Sequence, residues 1–171
     1  WYTENIATAY EYGLMNGESE TNFDIDGQVT LGQAVALACR LHATYYQIDY
    51  DFSFVPNPQW YQVFVTYAEE NGFLLDLDNP DYDAPVSREQ FASLLAHAFP
   101  EEALEPVNEV AFASIPDVQE NDLYAGDIYF LYRAGVLTGT NHGVFGMGED
   151  VTRTEAAALV TRMADESLRQ Y

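Results

Sequence analysis

Val151-Thr152-Arg153-Thr154-Glu155-Ala156-Ala157 is a helix start spelled out in side chains, and the chain carries versions of it twice more, as Val86-Ser87-Arg88-Glu89-Gln90 and Val29-Thr30-Leu31-Gly32-Gln33. In each version a Thr or Ser is followed three residues on by Gln or Glu. That spacing makes a capping box: the hydroxyl accepts from the backbone N–H three residues ahead, and the longer side chain reaches back to the N–H of the cap residue. The valine before the cap can staple against Ala34, Phe91 or Ala156 in the first turn. Losing such a cap costs about 0.5–2 kcal/mol. Apolar residues at helical spacing follow each cap: Val35, Leu37, Ala38 and Leu41; Phe91, Leu94, Leu95 and Ala98; Ala157, Leu159, Val160 and Met163.

Upstream of each cap stands a glycine: Gly13, Gly72 and Gly135. Tyr2, Ile6 and Ala9 precede the first, Tyr61, Val65 and Ala68 the second, and Tyr124, Ile128 and Leu131 the third, all at the same offsets. Those offsets put each set on one helical face. The glycine then suits the left-handed residue that closes a helix. Leu14-Met15, Phe73-Leu74 and Val136-Leu137 supply the apolar contact beyond it. The unit is therefore helix, glycine stop, loop, capped helix, repeated at roughly 60 residues. One unit cannot bury both its helices, so the three are expected to share a core. The fold class is mainly α: three helix-loop-helix units making one domain over 1–171. The units are placed at 1–45, 58–99 and 113–166, joined by connectors at 46–57 and 100–112. Pro56, Pro58, Pro100, Pro106 and Pro116 mark the linking stretches as irregular and exposed.

Composition narrows the function. The chain is 48% hydrophobic, which excludes disorder despite a net charge of −22. It has no Lys, and its six cations are Arg40, Arg88, Arg133, Arg153, Arg162 and Arg169. No basic face for nucleic acid can be assembled from them, and anionic membranes are disfavoured for the same reason. No apolar run is long enough to span a bilayer, so no membrane insertion is expected. The chain opens on Trp1-Tyr2 inside a patterned segment, without a basic-then-apolar leader. It reads as a mature fragment or an excised domain. The single Cys39 lies in an apolar run and reads as a buried free thiol.

Four segments, taken together, have a familiar form. They are Ile115-Pro116-Asp117-Val118; Ile128-Tyr129-Phe130-Leu131-Tyr132-Arg133-Ala134-Gly135-Val136-Leu137-Thr138-Gly139; Gly143-Val144-Phe145; and Val151 to Ala157. They closely resemble a repeat of the S-layer homology (SLH) family: an Asp-Val lead-in, a Trp/Tyr-rich helix, a glycine stop, a Gly-x-Phe loop and a Thr-Arg-Ala-Glu helix start. The first unit resembles it through Trp1, Gly13-Leu14-Met15-Asn16-Gly17 and Phe23-Asp24, with no lead-in before Trp1. The second is degenerate, with Asp76 in place of the second glycine. The resemblance implies a pseudo-threefold helical domain on the bacterial cell surface, extracellular, at the cell wall or S-layer. It implies a non-catalytic module that anchors an exported protein to secondary cell-wall polysaccharide, often pyruvylated. Grooves between neighbouring units would take the ligand, and the arginine after the cap would face them.

Electrostatics points at the same arginines. Arg88 and Arg153 occupy the first helical position, where a cation opposes the helix dipole by roughly 0.3–1 kcal/mol. An anion there would meet both the guanidinium fork and the free N–H groups of the helix start. A pyruvyl carboxylate is such an anion. The candidate ligand set is Arg153, Arg88, Glu155, Gln90, Gly139, Gly17 and Trp60. The glycines could let backbone approach a sugar, and Trp60 could stack on one. The competing readings are that each arginine pairs with a local carboxylate, that Trp60 is a packing anchor, and that the glycines only turn the chain. Leu31 replaces the arginine in the first unit, so its groove should bind poorly. Arg40 and Arg162 correspond late in their helices, where a cation suits the dipole. The alternative function is a structural or protein-interaction module that has kept the scaffold and lost the glycan.

The remaining motifs point away from cofactor chemistry. The loop from Asp76 to Asp83 is rich in carboxylates, but Pro80 and Asp81 break the EF-hand pattern, and it reads as solvated charge. Asp24, Asp26 and Gly27 are a weaker case of the same kind. His42, His97 and His142 lack metal-ligand spacing, and no nucleophile elbow, phosphate loop or dinucleotide fingerprint is present. No cofactor, metal or catalytic residue is assigned.

Overall fold

The computed structural model describes residues 2–15, 24, 26–53, 59–140 and 142–171, and the side chains of all of these but 2–4. Trp1, Asn16, Gly17, Phe23, Pro56 and Pro58 lie outside the described residues. The described chain is mainly helical. The helices are α1 (Tyr2–Glu11), α2 (Leu31–Tyr45), α3 (Gln62–Glu70), α4 (Arg88–Ala98), α5 (Ala125–Arg133) and α6 (Arg153–Ala164). Short 3-10 turns follow at Glu101–Ala103 and Glu166–Leu168.

All three capping boxes form. The N–H groups of Gln33, Gln90 and Glu155 donate to the hydroxyls of Thr30, Ser87 and Thr152 at 3.3, 3.4 and 3.3 Å. The long side chains accept from the cap N–H groups at 3.1, 3.2 and 2.9 Å. The stops also form. Gly13, Gly72 and Gly135 have φ of +67°, +76° and +72°. The N–H after each glycine reaches five residues back, Leu14 to Ala9 at 2.9 Å, Phe73 to Ala68 at 3.1 Å and Val136 to Leu131 at 3.0 Å. This is the Schellman arrangement, with a buried apolar residue beyond the glycine in each case. α3 and α5 begin one residue later than the aromatic pattern suggests. Tyr61 and Tyr124 have no capping side chain and stand just ahead of their helices.

Backbone bonds at the helix starts form a closed circuit. Val29 N–H donates to the Val151 carbonyl at 2.9 Å, Val151 to Val86 at 3.1 Å and Val86 to Val29 at 2.9 Å. A second circuit runs beside it: Leu31 to Ala84, Arg88 to Glu149 and Arg153 to Gly27, at 2.9, 2.9 and 2.8 Å. Isolated bridges Gln28↔Thr152, Thr30↔Pro85 and Ser87↔Asp150 are what remain of a sheet, and no strand occurs among the described residues. The three valines are almost wholly buried, so these amide groups satisfy one another where water cannot.

The helices do not pair within a unit. α1 packs on α6, α3 on α2 and α5 on α4, while α2 also touches α4 and α6. Each first helix thus lies on the capped helix of the neighbouring unit. The core is continuous, with Tyr67, Tyr129, Phe91 and Phe145 among its largest fully buried side chains.

The connectors are irregular but not simply exposed. Tyr50 and Phe52 are half-buried: Tyr50 meets Tyr67 edge-on at a ring separation of 4.5 Å, Phe52 stacks on Phe64 at 4.9 Å, and Leu104 is buried. Proline breaks the helix there, but apolar side chains between the breaks still leave water. Cys39 is buried, its thiol bonded to the Phe64 carbonyl, and burial pushes it up to about 12.

Candidate functional site

Two grooves of matching composition lie between elements of neighbouring units. The first, about 240 Å³, is lined by Arg88, Gly139, Glu155, Ala158, Leu159 and Arg162, with Leu137, Thr138 and Thr140. The second, about 200 Å³, is lined by Arg153, Trp60, Gln33, Ala36, Leu37 and Arg40, with Leu14, Met15 and Val29. Gln33, Ala36, Leu37 and Arg40 hold the same places along α2 that Glu155, Ala158, Leu159 and Arg162 hold along α6. In each groove an arginine from one helix start faces the outer side of the next capped helix.

Arg88 is 9% exposed and held on three sides. Its Nε donates to the Phe145 carbonyl at 2.8 Å, its Nη1 to Glu155 Oε1 at 2.5 Å, and the guanidinium lies 5.3 Å from the centre of the Phe145 ring. Glu155 meanwhile caps α6 through its other oxygen. Gly139, with φ of +75°, completes this groove. A Cβ there would stand 2.9 Å from the Tyr132 hydroxyl, so only glycine leaves the space. Burial pushes the Tyr132 phenol up to about 12, with the Arg88 guanidinium acting the other way. It is a neutral donor throughout the physiological range.

The far end of each groove has a second arginine. Arg40 Nη1 donates to the Leu14 carbonyl at 3.2 Å and Arg162 Nη1 to the Val136 carbonyl at 2.9 Å. Both carbonyls immediately follow a glycine stop. Burial lowers the pKa of both arginines from the ordinary value. Their helix-dipole placement alone does not describe them, because both line the grooves. Their equal spacing from the two caps was the sequence signal for this pairing.

The structure therefore brings Arg88, Glu155 and Gly139 into one groove and Arg153 and Trp60 into the other. Gln90 lines neither: its side chain closes the Ser87 cap. Gly17 lies outside the described residues. At the third equivalent place Leu31 stands at the helix start, and His97 occupies the position of Arg40 and Arg162 on α4. His97 Nδ1 donates to the Ser93 carbonyl at 2.9 Å, and its Nε2 stands 3.8 Å from Asp127.

Asp117 was legible only as part of the Asp-Val lead-in. Its carboxylate accepts from the N–H groups of Phe145, Gly146 and Met147 at 2.7, 2.6 and 3.0 Å. It thereby fixes the loop that presents the Phe145 carbonyl to Arg88. Partial burial raises its pKa, but the three N–H donors outweigh that and leave it below the usual value. A depressed folded value stabilises fully above the unfolded pKa, about 3.9, and the contribution is lost as pH falls through the folded value. Asp117→Asn should cost about 1–2 kcal/mol at neutral pH, the site being only partly buried. In thermal melts across the acid range the gap between the two proteins should close. A gap that is constant with pH would remove Asp117 from this role.

No group of three or more His, Cys, Asp or Glu converges as a metal site among the described residues, and none of the described helices is long and apolar enough to cross a membrane. In comparisons with known proteins, a family model described as the S-layer homology domain matches residues 1–35 and 114–157. No curated protein matches the chain. The matched segments hold the first unit to its cap and the third from its lead-in through its cap, and leave the second unit unmatched.

Proposed function

We propose that this chain, in which residues 1–35 and 114–157 are S-layer homology sequence and so mark a cell-surface, wall-anchoring module, holds its parent protein to an anionic cell-wall polysaccharide through the two arginine grooves. The module is non-catalytic and extracellular, and a pyruvylated polymer suits its chemistry. The three units, at 1–45, 58–99 and 113–166, form a pseudo-threefold arrangement, a reading supported by the closed circuit of valine amides and the three backbone bonds beside it.

The observation that carries the proposal is the doubled arginine pair. A chain of net charge −22 has six cations, and four of them line two matching grooves. Arg88 with Arg162 and Arg153 with Arg40 offer guanidinium forks to a carboxylate. Trp60 beside Arg153 offers a ring face to the sugar carrying it. The third place, with Leu31 and His97, lacks this pair.

A specific observation favours the second reading for part of the site. Arg88 is already neutralised by Glu155, as it would be in a module that kept the scaffold and lost its ligand. Gln33 stands where Glu155 would be in the other groove, so that place on α2 brings no carboxylate to the Arg153 groove.

Co-sedimentation with purified sacculi, with and without their secondary polysaccharide, tests the proposal. The wild-type chain should pellet only with the polysaccharide, and the Arg88→Ala/Arg153→Ala double variant should remain in solution. Pelleting should hold or strengthen as salt screens the repulsion between this acidic chain and an anionic polymer. A folded wild-type chain that does not pellet would transfer the function to protein partners.

A further inference from the structure

The largest cavity described is remote from both helix-start circuits, and nothing above gives it a role. It measures about 650 Å³ and lies among the C-terminal ends of α2 and α6 and the chain that follows α4. Leu14, Leu41, Phe99 and Met163 make an apolar floor, and Tyr12 and Tyr45 stand as exposed walls. Glu102, Glu105 and Glu166 line it as well, all exposed. The one cation present, Arg169, is buried and committed to the carbonyls of Ala103 and Arg162 at 2.9 and 3.3 Å. A volume of this size is in the range of ligand sites, about 300–1,000 Å³.

A second, shallower depression of about 440 Å³ shares the Tyr12, Leu14 and Thr44 wall and runs on along Ile48, Asp49 and Tyr50. Exposed Tyr46 and Ile48 continue the apolar surface beside it. The two together make an extended trough with an apolar base, aromatic walls and carboxylates at one end. Exposed apolar and aromatic side chains grouped in this way mark interaction surfaces.

We propose that this trough docks an extended segment of a partner protein, one bearing arginine or lysine beside apolar side chains. The floor would take the methylene stem of the long cation, Glu102, Glu105 and Glu166 its charge, and the tyrosine faces a guanidinium. A second copy of this chain cannot be the occupant. It has no Lys, and each of its six arginines is buried or half-buried. Two adjoining depressions of about 650 and 440 Å³ suit a segment of chain rather than a compact small cation. The proposal does not rest on the glycan reading, although Leu14 and Arg40 border both the trough and the Arg153 groove.

Fluorescence anisotropy at near-physiological salt tests it, using a short labelled peptide that alternates arginine and leucine. Three proteins are compared: wild type, Glu102→Gln/Glu105→Gln/Glu166→Gln, and Asp76→Asn/Asp78→Asn/Asp81→Asn. All six positions lie on or near the surface, and both variants lose the same charge. The cavity variant should bind at least about tenfold more weakly, and the loop variant within about twofold of wild type, as expected for charges in contact against charges at a distance. Tyr45→Ala should weaken binding with no change of charge. Equal losses in both charge variants, or no loss in either, would overturn the proposal. So would acetyl-arginine amide binding as tightly as the peptide, which would make the site one for a small organic cation.

Discussion

Gly135→Ala is expected to destabilise the protein by about 2–5 kcal/mol, whereas Gly13→Ala should cost about 1–2 kcal/mol. Both glycines close a helix at nearly the same positive φ, so the left-handed penalty on a side chain is shared. Only the surroundings differ. A Cβ on Gly13 would meet nothing within 4 Å, while one on Gly135 would stand 2.6 Å from the Gln170 carbonyl oxygen and 2.8 Å from Val107 Cγ2. Gln170 N–H bonds the Gly135 carbonyl at 2.9 Å, and Val107 N–H bonds the Arg133 carbonyl at 2.7 Å, so neither neighbour can give way freely. Denaturant melts of the two variants measure the difference directly. Equal losses would mean that the chain around Gly135 yields, and that backbone conformation alone sets the cost at both stops.

The second large effect concerns the grooves. Under the proposed function, Arg153→Ala should reduce polysaccharide affinity by about thirty- to a few-thousandfold, the range for removing one partner of a buried charged contact. Arg88→Ala should cost binding less and folding more. Its guanidinium joins the Phe145 carbonyl to Glu155, so removal strips both of a partner, and the half-exposed carboxylate recovers some of the loss from water. Paired measurements of affinity and melting on the two single variants separate these roles. Equal affinity losses would assign equal parts to both grooves and set aside the distinction drawn from Gln33 and Glu155.

Much of this structure could be read locally. The caps at Thr30, Ser87 and Thr152 and the stops at Gly13, Gly72 and Gly135 depend on residues within six places of one another, and all six form. Arg88 and Arg153 could be singled out because they sit where the dipole disfavours them. What could not be read is whatever requires knowing which helix lies beside which. Arg162 is seen as a groove residue only when α6 is placed beside Arg88, and Arg40 only when α2 is placed beside Arg153. Gln90 illustrates the reverse. Its place matches Glu155, but the helix start facing it carries Leu31, and no cation comes with it. The burial of Tyr50 and Phe52 likewise depends on Tyr67 and Phe64 offering ring faces, which no spacing within the connector reveals.

The packing of α1 on α6 has a consequence for how the molecule comes apart. In an open array of repeats the outermost member has one neighbour, frays first, and lets the rest unzip in stages. Here the first helix is seated on the last capped helix, and every valine amide at the centre is held by a different unit. There is no outermost member. Loss of any one unit deprives the other two of a helix partner and a backbone bond at once. A module under mechanical load would therefore keep its full grip until it lost all of it, a property suited to a tether.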